Sequence, residues 1–291
     1  MATAPVTRLD WLTARGPVPL DRPRILGVLN ITPDSFWEGG RHTGLDAAVA
    51  HAARLIEDGA DLIDVGGEST RPGSPTPVPA AEELARIVPV VREIARRFPA
   101  VPVSVDTVKA EVAHAALQEG AAVINDVSGL RLDSAMGRVA ADSVAGLILM
   151  HSRGSVDRMA SYDLADYGPD PVGEIAAELA SALSRARSAG VAEEAIVLDP
   201  GLGFAKRTEH SLALISQLDR LLELGRPVLI GPSRKRFVGE VSGGLPPSER
   251  LEGTLAACVA GLLAGARLFR VHDVAAARRA LDVAEAIRTA E

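Results

Sequence analysis

One unit recurs along this chain: a short apolar run that ends in a polar residue, then a loop, then an Ala- and Leu-rich stretch with helical spacing. Residues 62–73, LIDVGGESTRPG, show its first half, because four mostly apolar residues predict a buried strand and the Gly66-Gly67 pair ends it. Pro72 and Gly73 keep the chain from entering a helix at once. The unit occurs eight times without a hairpin signal between strands, so the strands are predicted to be parallel and joined by helices.

Eight strand-then-helix units predict an α/β fold, a closed (β/α)8 barrel of the TIM type, in a single domain of about 250 residues. The 291-residue chain has no Pro-, Gly- or Ser-rich linker that would divide it. Residues 1–24 are interpreted as a surface lead-in with room for a short hairpin, and residues 25–291 as the barrel. An open, doubly wound sheet is the alternative, but it would concentrate polar residues at one switch point, whereas here they follow all eight strands.

The predicted boundaries follow the apolar runs. The strands are placed at 25–30, 62–65, 102–106, 122–126, 147–151, 196–199, 227–231 and 268–271, and the helices at 45–58, 80–98, 108–119, 134–143, 171–189, 208–223, 251–264 and 274–289.

Composition excludes several classes of function. The net charge of −7 and pI near 5.5 argue against nucleic acid as a partner. The single cysteine, Cys258, cannot form an intramolecular disulfide, which suits a reducing compartment, and its apolar surroundings predict a buried structural thiol. No apolar run is long enough to cross a membrane, and the N-terminus does not resemble a secretory signal. We therefore expect a cytoplasmic protein with no membrane partner.

Polar residues at the ends of the predicted strands indicate a binding site. The C-terminal ends of barrel strands form the face that carries active sites, and a polar side chain is stable there only near solvent or a ligand. In strand order these residues are Asn30, Gly66 to Arg71, Asp106, Asn125 with Asp126, His151, Asp199, Ser233 to Lys235, and Arg270 with His272.

These residues divide by chemistry into two sets. Asp106, Asn125 and Asp199 offer carboxylates and an amide, which suit a flat heterocycle with N–H donors, because a carboxylate accepts two parallel donors. Arg270 and His272 are two residues apart, so their side chains leave a strand on the same face.

The second set suits an anion. With Asn30 nearby, the Arg270 and His272 pair fits a phosphate or pyrophosphate, and a metal is compatible with it. A single asparagine is a weak protein ligand, which matches Mg²⁺ held mostly by water and phosphate oxygens. Lys235 follows Ser233 in a turn after the seventh strand, and the serine favours a site role for the lysine.

Eight motif blocks then resemble, in order, those of bacterial dihydropteroate synthases: LNITPDSFWEGG, DVGGESTRPG, SVDT, INDVSG, MH, DPGLGFAK, GPSRKRFVG and RVHDV. The resemblance runs from about residue 25 to 275. It implies a TIM barrel that joins 6-hydroxymethyl-7,8-dihydropterin pyrophosphate to p-aminobenzoate in folate biosynthesis, giving 7,8-dihydropteroate and pyrophosphate. It also implies a homodimer and Mg²⁺ as the cofactor.

The resemblance assigns roles to individual residues. It places the pterin on Asp106, Asn125, Met150, Asp199 and Lys235, pyrophosphate on Asn30, Arg71, Arg270 and His272 with Mg²⁺ at Asn30, and p-aminobenzoate near Phe36, Thr70, Pro72, Phe204, Ser233 and Lys235. The catalytic residues implied are Asp106, Asp199, Lys235, Arg270 and His272.

The chain departs from the family pattern at two blocks. The first block usually reads DSFSDGG, and here Trp37 and Glu38 replace Ser and Asp; the sixth carries Leu202 and Ala205 in DPGLGFAK. Two alternatives remain open. One is a pterin-binding paralogue with weak or no synthase activity. The other is a pterin-dependent methyltransferase, which would need no pyrophosphate clamp and is therefore disfavoured by the Arg270 and His272 pair.

Overall fold

The structure, a computed structural model, describes residues 10–31, 41–69 and 77–290. The expectations for Phe36, Thr70, Arg71 and Pro72 as site residues lie outside these ranges. The departure at Trp37, in the first motif block, lies outside them as well.

The described residues form a barrel of eight parallel strands surrounded by helices, which confirms the predicted (β/α)8 fold. The strands are β3 (Arg24–Asn30), β4 (Leu62–Gly66), β5 (Val103–Asp106), β6 (Val123–Asp126), β7 (Gly146–Met150), β8 (Ile196–Asp199), β9 (Leu229–Ile230) and β10 (Leu268–Val271). The hydrogen-bonded order is β8-β7-β6-β5-β4-β3-β10-β9. A parallel bridge between Leu198 and Val228 joins β8 to the segment that leads into β9 and closes the ring.

Helices follow the strands in the expected alternation. They are α1 (Arg41–Glu57), α2 (Ala80–Arg97), α3 (Ala110–Gln118), α4 (Met136–Asp142), α5 (Pro171–Ser188), α6 (Thr208–Ser216), α7 (Asp219–Leu222), α8 (Arg236–Val241), α9 (Leu251–Leu263) and α10 (Val274–Thr289), with short 3-10 turns at Tyr162–Leu164, Glu193–Ala195 and Pro247–Glu249. Among the helices of the described part of the chain, none is long and apolar enough to cross a membrane.

Most boundaries lie within four residues of the prediction, and three differences have a specific physical cause. The helix expected at 208–223 is two helices, because Gln217 leaves helical backbone angles at φ −118° and ψ 36°. The strand expected at 227–231 is only Leu229–Ile230, since Pro227 has no N–H to donate to a ladder. The six-residue helix α8 was missed, because it is too short to show a period.

Alternation along the strands separates the barrel interior from the helical layer. At the N-terminal end of the barrel the inward positions are apolar and pack as one cluster with residues of the N-terminal hairpin. The strand residues of this cluster are Leu26, Leu62, Val123, Ile148, Val197, Leu229 and Leu268. Outward positions such as Ile63, Val105 and Phe269 pack against the helices. Cys258 on α9 is fully buried, as expected, and burial raises its thiol pKa to about 12.

The N-terminal hairpin closes the bottom of the barrel. The strands β1 (Asp10–Thr13) and β2 (Gly16–Pro19) pair antiparallel, so the short hairpin is present, and side chains on one of its faces are buried. Trp11 is fully buried against the lower cluster, and its Nε1 donates to the carbonyl of Ala195 at 2.8 Å. The indole fills space that the inward strand residues leave open at this end.

Replacing Trp11 with phenylalanine tests this role. The Trp11→Phe variant keeps an aromatic ring but leaves the buried Ala195 carbonyl without its donor, so we expect the free energy of unfolding to fall by about 1–3 kcal/mol. Urea denaturation at constant pH measures the change. Because Trp11 lies at the opposite end of the barrel from the polar strand ends, ligand binding there should not change.

Candidate active site

The strand register brings predicted site residues to one level of the barrel. Asn30 on β3 is paired with Gly66 on β4, Gly66 with Asp106 on β5, and Asp106 with Asn125 on β6. All four are at inward positions, and each follows the preceding inward residue of its own strand by two positions. Because Gly66 has no side chain, the row leaves space between Asn30 and Asp106. A continuous set of inward polar groups therefore lies at the C-terminal end of the barrel.

Asp64, which the sequence analysis did not single out, lies at the centre of this set. Its carboxylate is fully buried, and Oδ2 accepts from Arg270 Nε at 2.5 Å and from Asn125 Nδ2 at 3.1 Å. Because Nδ2 of Asn125 is thus engaged, its Oδ1 is left as an acceptor, and that atom has no partner among the described residues. Asp64 Oδ1 also has no hydrogen-bond partner among the described residues. Buried polar atoms of this kind are rare and mark a site that a ligand can satisfy.

Arg270 joins the two predicted sets. Besides its bond to Asp64, its Nη2 donates to Asp106 Oδ2 at 2.7 Å. Burial alone would lower the pKa of the guanidinium, but the carboxylates of Asp64 and Asp106 outweigh it and raise that pKa. The sequence analysis grouped Arg270 with His272 in an anion set, whereas in the structure its guanidinium also contacts the acidic ring-binding set.

Burial shifts the proton affinities of the site. It raises the pKa of Asp106 to about 7, an effect that the charge of Arg270 opposes, and it raises the pKa of Asp199 to about 6. It lowers the pKa of Lys235 to about 7, and repulsion by Arg270 acts in the same direction. Carboxyl and amino groups of the site therefore exchange protons near neutral pH, which is typical of functional sites.

A tight turn after β8 orients Asp199. Its Oδ1 accepts from the backbone N–H of Gly201 at 2.7 Å. Gly201 has φ +65°, and a Cβ there would lie 2.1 Å from the carbonyl oxygen of His151. Only glycine therefore fits this turn, and it holds the carboxylate toward the barrel axis.

Phe204 and Met150 form the apolar wall of the site. They pack together with Val127 and Val108 in a small cluster above the polar row. The ammonium Nζ of Lys235 lies 3.7 Å from the centroid of the Phe204 ring, close enough for a cation–π interaction. The wall provides a flat surface beside the acidic groups.

Ser233 and His272 form a pair on the neighbouring strand ends. The Ser233 Oγ lies 2.9 Å from His272 Nδ1 and accepts from the backbone N–H of His272 at 3.2 Å. Since the hydroxyl accepts the backbone N–H, its own proton is available to Nδ1. The next residue, Arg234, turns away and pairs with Asp273 on the surface.

Three other polar strand ends do not join the site. Asp126 is on an outward position and accepts from the N–H groups of Ser128 and Leu130, so it shapes its own loop. His151 also points outward, to Lys206 and Glu178. Glu68 accepts from the backbone N–H of Val78 and pairs with Lys109.

The signal that separates these residues was present in the sequence. Side chains alternate between the two faces of a strand, so Asp126 must face away from the barrel axis if its neighbour Asn125 faces inward. Asp64 stands two residues before Gly66 on the inward face. A carboxylate inside an otherwise apolar run should itself have indicated a site residue.

The donor set for a metal is sparse. Within residues 10–31, 41–69 and 77–290, no three His, Cys, Asp or Glu side chains are grouped to hold a metal ion. The predicted ligand, Asn30, ends β3 with one amide oxygen. That donor set fits only an ion whose remaining ligands come from substrate oxygens and water, which is the usual situation of Mg²⁺.

Comparison with known proteins gives the family of this chain. The family model described as "Pterin binding enzyme" matches residues 26–272. A dihydropteroate synthase of Synechocystis is 42% identical over 96% of this chain and 99% of its own length. The solved structure of Xanthomonas albilineans dihydropteroate synthase with 4-aminobenzoic acid has a TM-score of 0.89 and 44% identity, covering 98% of this chain and all of that one. The same enzyme in complex with 7,8-dihydropteroate has a TM-score of 0.84 at 42% identity, covering 94% and 97%.

A pterin-binding TIM barrel is thus the class that fold and site define. The chain belongs to the pterin-binding enzyme family, and within it to the dihydropteroate synthases. It is therefore an enzyme, a transferase.

Replacing Asp64 with asparagine tests its central position. The Asp64→Asn variant keeps the size of the side chain but loses the charge opposite Arg270, so Asn125 and Arg270 are no longer held in place. We therefore expect the free energy of pterin binding to weaken by about 1.5–3 kcal/mol. Isothermal calorimetry with a pterin ligand measures it.

Asp126→Asn is the matched control. It makes the same chemical change at a buried aspartate on the outward face of β6. It should lower stability but leave pterin affinity within about twofold, because the Asp126 carboxylate points away from the barrel axis and accepts hydrogen bonds from Ser128 and Leu130 of its own loop. Equal losses in both variants would contradict a specific role for Asp64.

Proposed function

We propose that this protein is a dihydropteroate synthase of folate biosynthesis, condensing 6-hydroxymethyl-7,8-dihydropterin pyrophosphate with p-aminobenzoate to give 7,8-dihydropteroate and pyrophosphate. One observation carries the proposal: a buried ring of acceptors, Asp64, Asp106, Asn125 and Asp199, lies beside the cations of Arg270 and Lys235 at the active face of the barrel. The names of the relatives support the same reaction.

The acceptors suit the pterin ring. A pterin carries an amino group and ring N–H donors in one plane, and the unpartnered Oδ1 of Asn125 together with the Asp106 and Asp199 carboxylates accepts such donors. Lys235 supplies donors to the ring oxygen or nitrogen atoms, and Met150 packs against the ring face. These assignments follow the family resemblance and agree with the inward positions of the four strand residues among them, Asp106, Asn125, Met150 and Asp199.

The bond change needs little proton transfer at the start. The C–O bond to pyrophosphate breaks, and the pterin-methyl cation that remains is stabilised by the negative charge of Asp106 and Asp199. The neutral arylamine then forms the C–N bond and releases a proton to solvent or pyrophosphate. The site mainly positions the reactants and excludes water from the cation.

Departure of pyrophosphate needs positive charge. Arg270 and His272 stand on one face of β10 and its extension, and we assign them, with Asn30 and Arg71, to the pyrophosphate. The Ser233 hydroxyl orients the His272 ring. Mg²⁺ bound at Asn30 would neutralise charge on the leaving oxygens.

The arylamine is assigned to the apolar side of the site. Phe204 and Ser233 flank Lys235 in the structure, and Phe36, Thr70 and Pro72 complete this subsite in the family resemblance. A flat aromatic acid suits this side of the site because its ring can pack against the apolar wall and its carboxylate can pair with the Lys235 ammonium.

The test of the proposal is release of pyrophosphate that depends on p-aminobenzoate. Purified protein with the pterin pyrophosphate, Mg²⁺ and p-aminobenzoate should release pyrophosphate and form dihydropteroate in equal amounts. Omitting the arylamine, or adding a chelator, should stop product formation. Binding of the pterin without turnover would favour the inactive paralogue, and methyl transfer from methyltetrahydrofolate would favour the methyltransferase.

The pH dependence of pterin binding tests the role of Asp199. Its pKa of about 6 lies above the ordinary value for aspartate, so the carboxylate is ionised above pH 6. As the pH falls through that value, one oxygen becomes protonated and the group no longer accepts two hydrogen bonds as a carboxylate. Below pH 6 the affinity for a neutral pterin should therefore weaken.

The Asp199→Asn variant supplies the comparison. It should bind about 1.5–3 kcal/mol more weakly at pH 8, because one charge-assisted bond is lost, and its affinity should depend less on pH. Calorimetry from pH 5 to 8 measures both effects. An unchanged affinity at pH 8 would contradict the assignment of Asp199 to the pterin.

We further propose a cytoplasmic homodimer. Support comes from apolar side chains exposed on adjacent helices: Leu263 on α9, with 59% of its surface exposed, and Val283 and Ile287 on α10, with 62% and 69% exposed. Light scattering that gives the mass of one chain would contradict the dimer.

A further inference from the structure

We propose that Lys206, to which the reaction assigns no role, is a positioning residue of the p-aminobenzoate subsite. Its buried ammonium fixes the segment from Gly201 to Lys206 against the end of β7 and so holds Phe204 beside Lys235. The inference rests on the proposed function, because it concerns the arylamine side of that site.

Lys206 is fully buried, and its Nζ lies within hydrogen-bond distance of three atoms that can accept a hydrogen bond. Its Nζ lies 2.7 Å from His151 Nδ1, 2.9 Å from the carbonyl oxygen of Phe204 and 3.4 Å from the carbonyl oxygen of His151. A buried lysine is costly unless its ammonium is fully hydrogen-bonded. Two of these bonds cross from the loop after β8 to His151 at the end of β7, and the third stays within the loop after β8, so Lys206 connects the two segments at the rim of the site.

His151 links Lys206 to Glu178. Burial lowers the pKa of the Lys206 amino group well below its ordinary value, an effect that the charges of Asp199 and Glu178 oppose. Because His151 Nδ1 accepts from the ammonium, its proton lies on Nε2, which is 3.0 Å from Glu178 Oε2. Burial, followed by repulsion from Lys206, lowers the pKa of His151 to about 4, so the ring is neutral at pH 7. The carboxylate of Glu178, which also pairs with Arg153, is thus linked to the buried ammonium by a neutral imidazole in a fixed tautomer.

The segment that Lys206 holds is under conformational constraint. Ala205 has φ +48°, a left-handed conformation that a residue with a Cβ rarely adopts. It persists because the Ala205 N–H donates to Met159, and its carbonyl accepts from the Tyr167 hydroxyl at 2.9 Å. Lys206 adds the bond to the adjacent carbonyl of Phe204. Without that bond the Phe204 backbone can rotate, and the ring loses its place beneath Lys235 Nζ.

A purely structural role predicts a different outcome. A buried residue that only stabilises the barrel would lower stability and affect both substrates alike. A positioning residue for Phe204 should weaken p-aminobenzoate and spare the pterin. The contacts of Asp64, Asp106 and Asn125 come from other strands, and the Asp199 carboxylate is held by the Gly201 N–H, which Lys206 does not contact.

The Lys206→Met variant separates these outcomes. Methionine nearly matches the volume of lysine but donates no hydrogen bond. We expect KM for p-aminobenzoate to rise by about tenfold or more, the change expected from the loss of one charge-assisted bond, while the Kd of a pterin ligand stays within about twofold. Steady-state kinetics with a saturating pterin substrate, and calorimetry with a pterin alone, give the two values.

Two further variants make the comparison specific. Trp11→Phe removes a buried hydrogen bond at the far end of the barrel and should leave KM for p-aminobenzoate unchanged at similar loss of stability. Glu178→Gln changes a side chain that is 41% exposed, so this variant should fold and serves as the test if Lys206→Met does not fold. It weakens the hydrogen bond between Glu178 and His151, and so the chain of contacts that holds Lys206. KM for p-aminobenzoate should therefore rise by about threefold, with unchanged pterin affinity.

The outcomes distinguish this inference from the proposed function. If the unaltered protein makes no dihydropteroate, the proposed function fails. If the unaltered protein is active but the folded Lys206 variant, or the Glu178 variant in its place, keeps its KM for p-aminobenzoate, the positioning role is overturned. Equal weakening of pterin and p-aminobenzoate would also overturn it in favour of a structural role.

Discussion

The bond between the buried Asp64 carboxylate and Arg270 is the interaction on which the site depends. Burying two charges costs free energy that only close geometry and further hydrogen bonds offset, and here Asn125 and Asp106 provide those bonds. The pair thereby fixes which atoms of its neighbours remain for a ligand. Asn125 must present its carbonyl oxygen, because its amide nitrogen is already used. The hydrogen-bonding character of the pocket follows from one carboxylate that the barrel holds at its centre.

The alternation of side chains along each strand gives inward and outward residues different roles. Inward residues at the C-terminal end, such as Asp106 and Asp199, face the barrel axis, while outward residues one position away support the loops. His151 illustrates the second layer, since it connects Lys206 to Glu178 and never reaches the barrel axis. The two faces of one strand therefore carry binding chemistry and the scaffold for it, and a change on either face reaches the site by a different route.

The two ends of the barrel serve different needs. At the N-terminal end Trp11 and the inward aliphatic residues fill the interior and stabilise the fold. At the C-terminal end the interior is left polar and strongly desolvated, which raises the pKa values of Asp106 and Asp199 and lowers that of Lys235. Because the packing residues and the polar site lie at opposite ends of the barrel axis, the protein can keep costly buried charges without disrupting its hydrophobic core.

The sequence by itself determined the eight strand-helix units, the barrel and most residues at the strand ends, because hydrophobic periodicity and strand direction are local properties. It contained a carboxylate at Asp64 inside an apolar run, but it could not show that the partner is Arg270, 206 positions away. Nor could it show which segments pack around Trp11, that His151 contacts Lys206, or that Arg270 contacts Asp106. Those facts are contacts between distant segments, and only closure of the barrel, which sets the register of neighbouring strands and brings the first hairpin under the last strands, decides them.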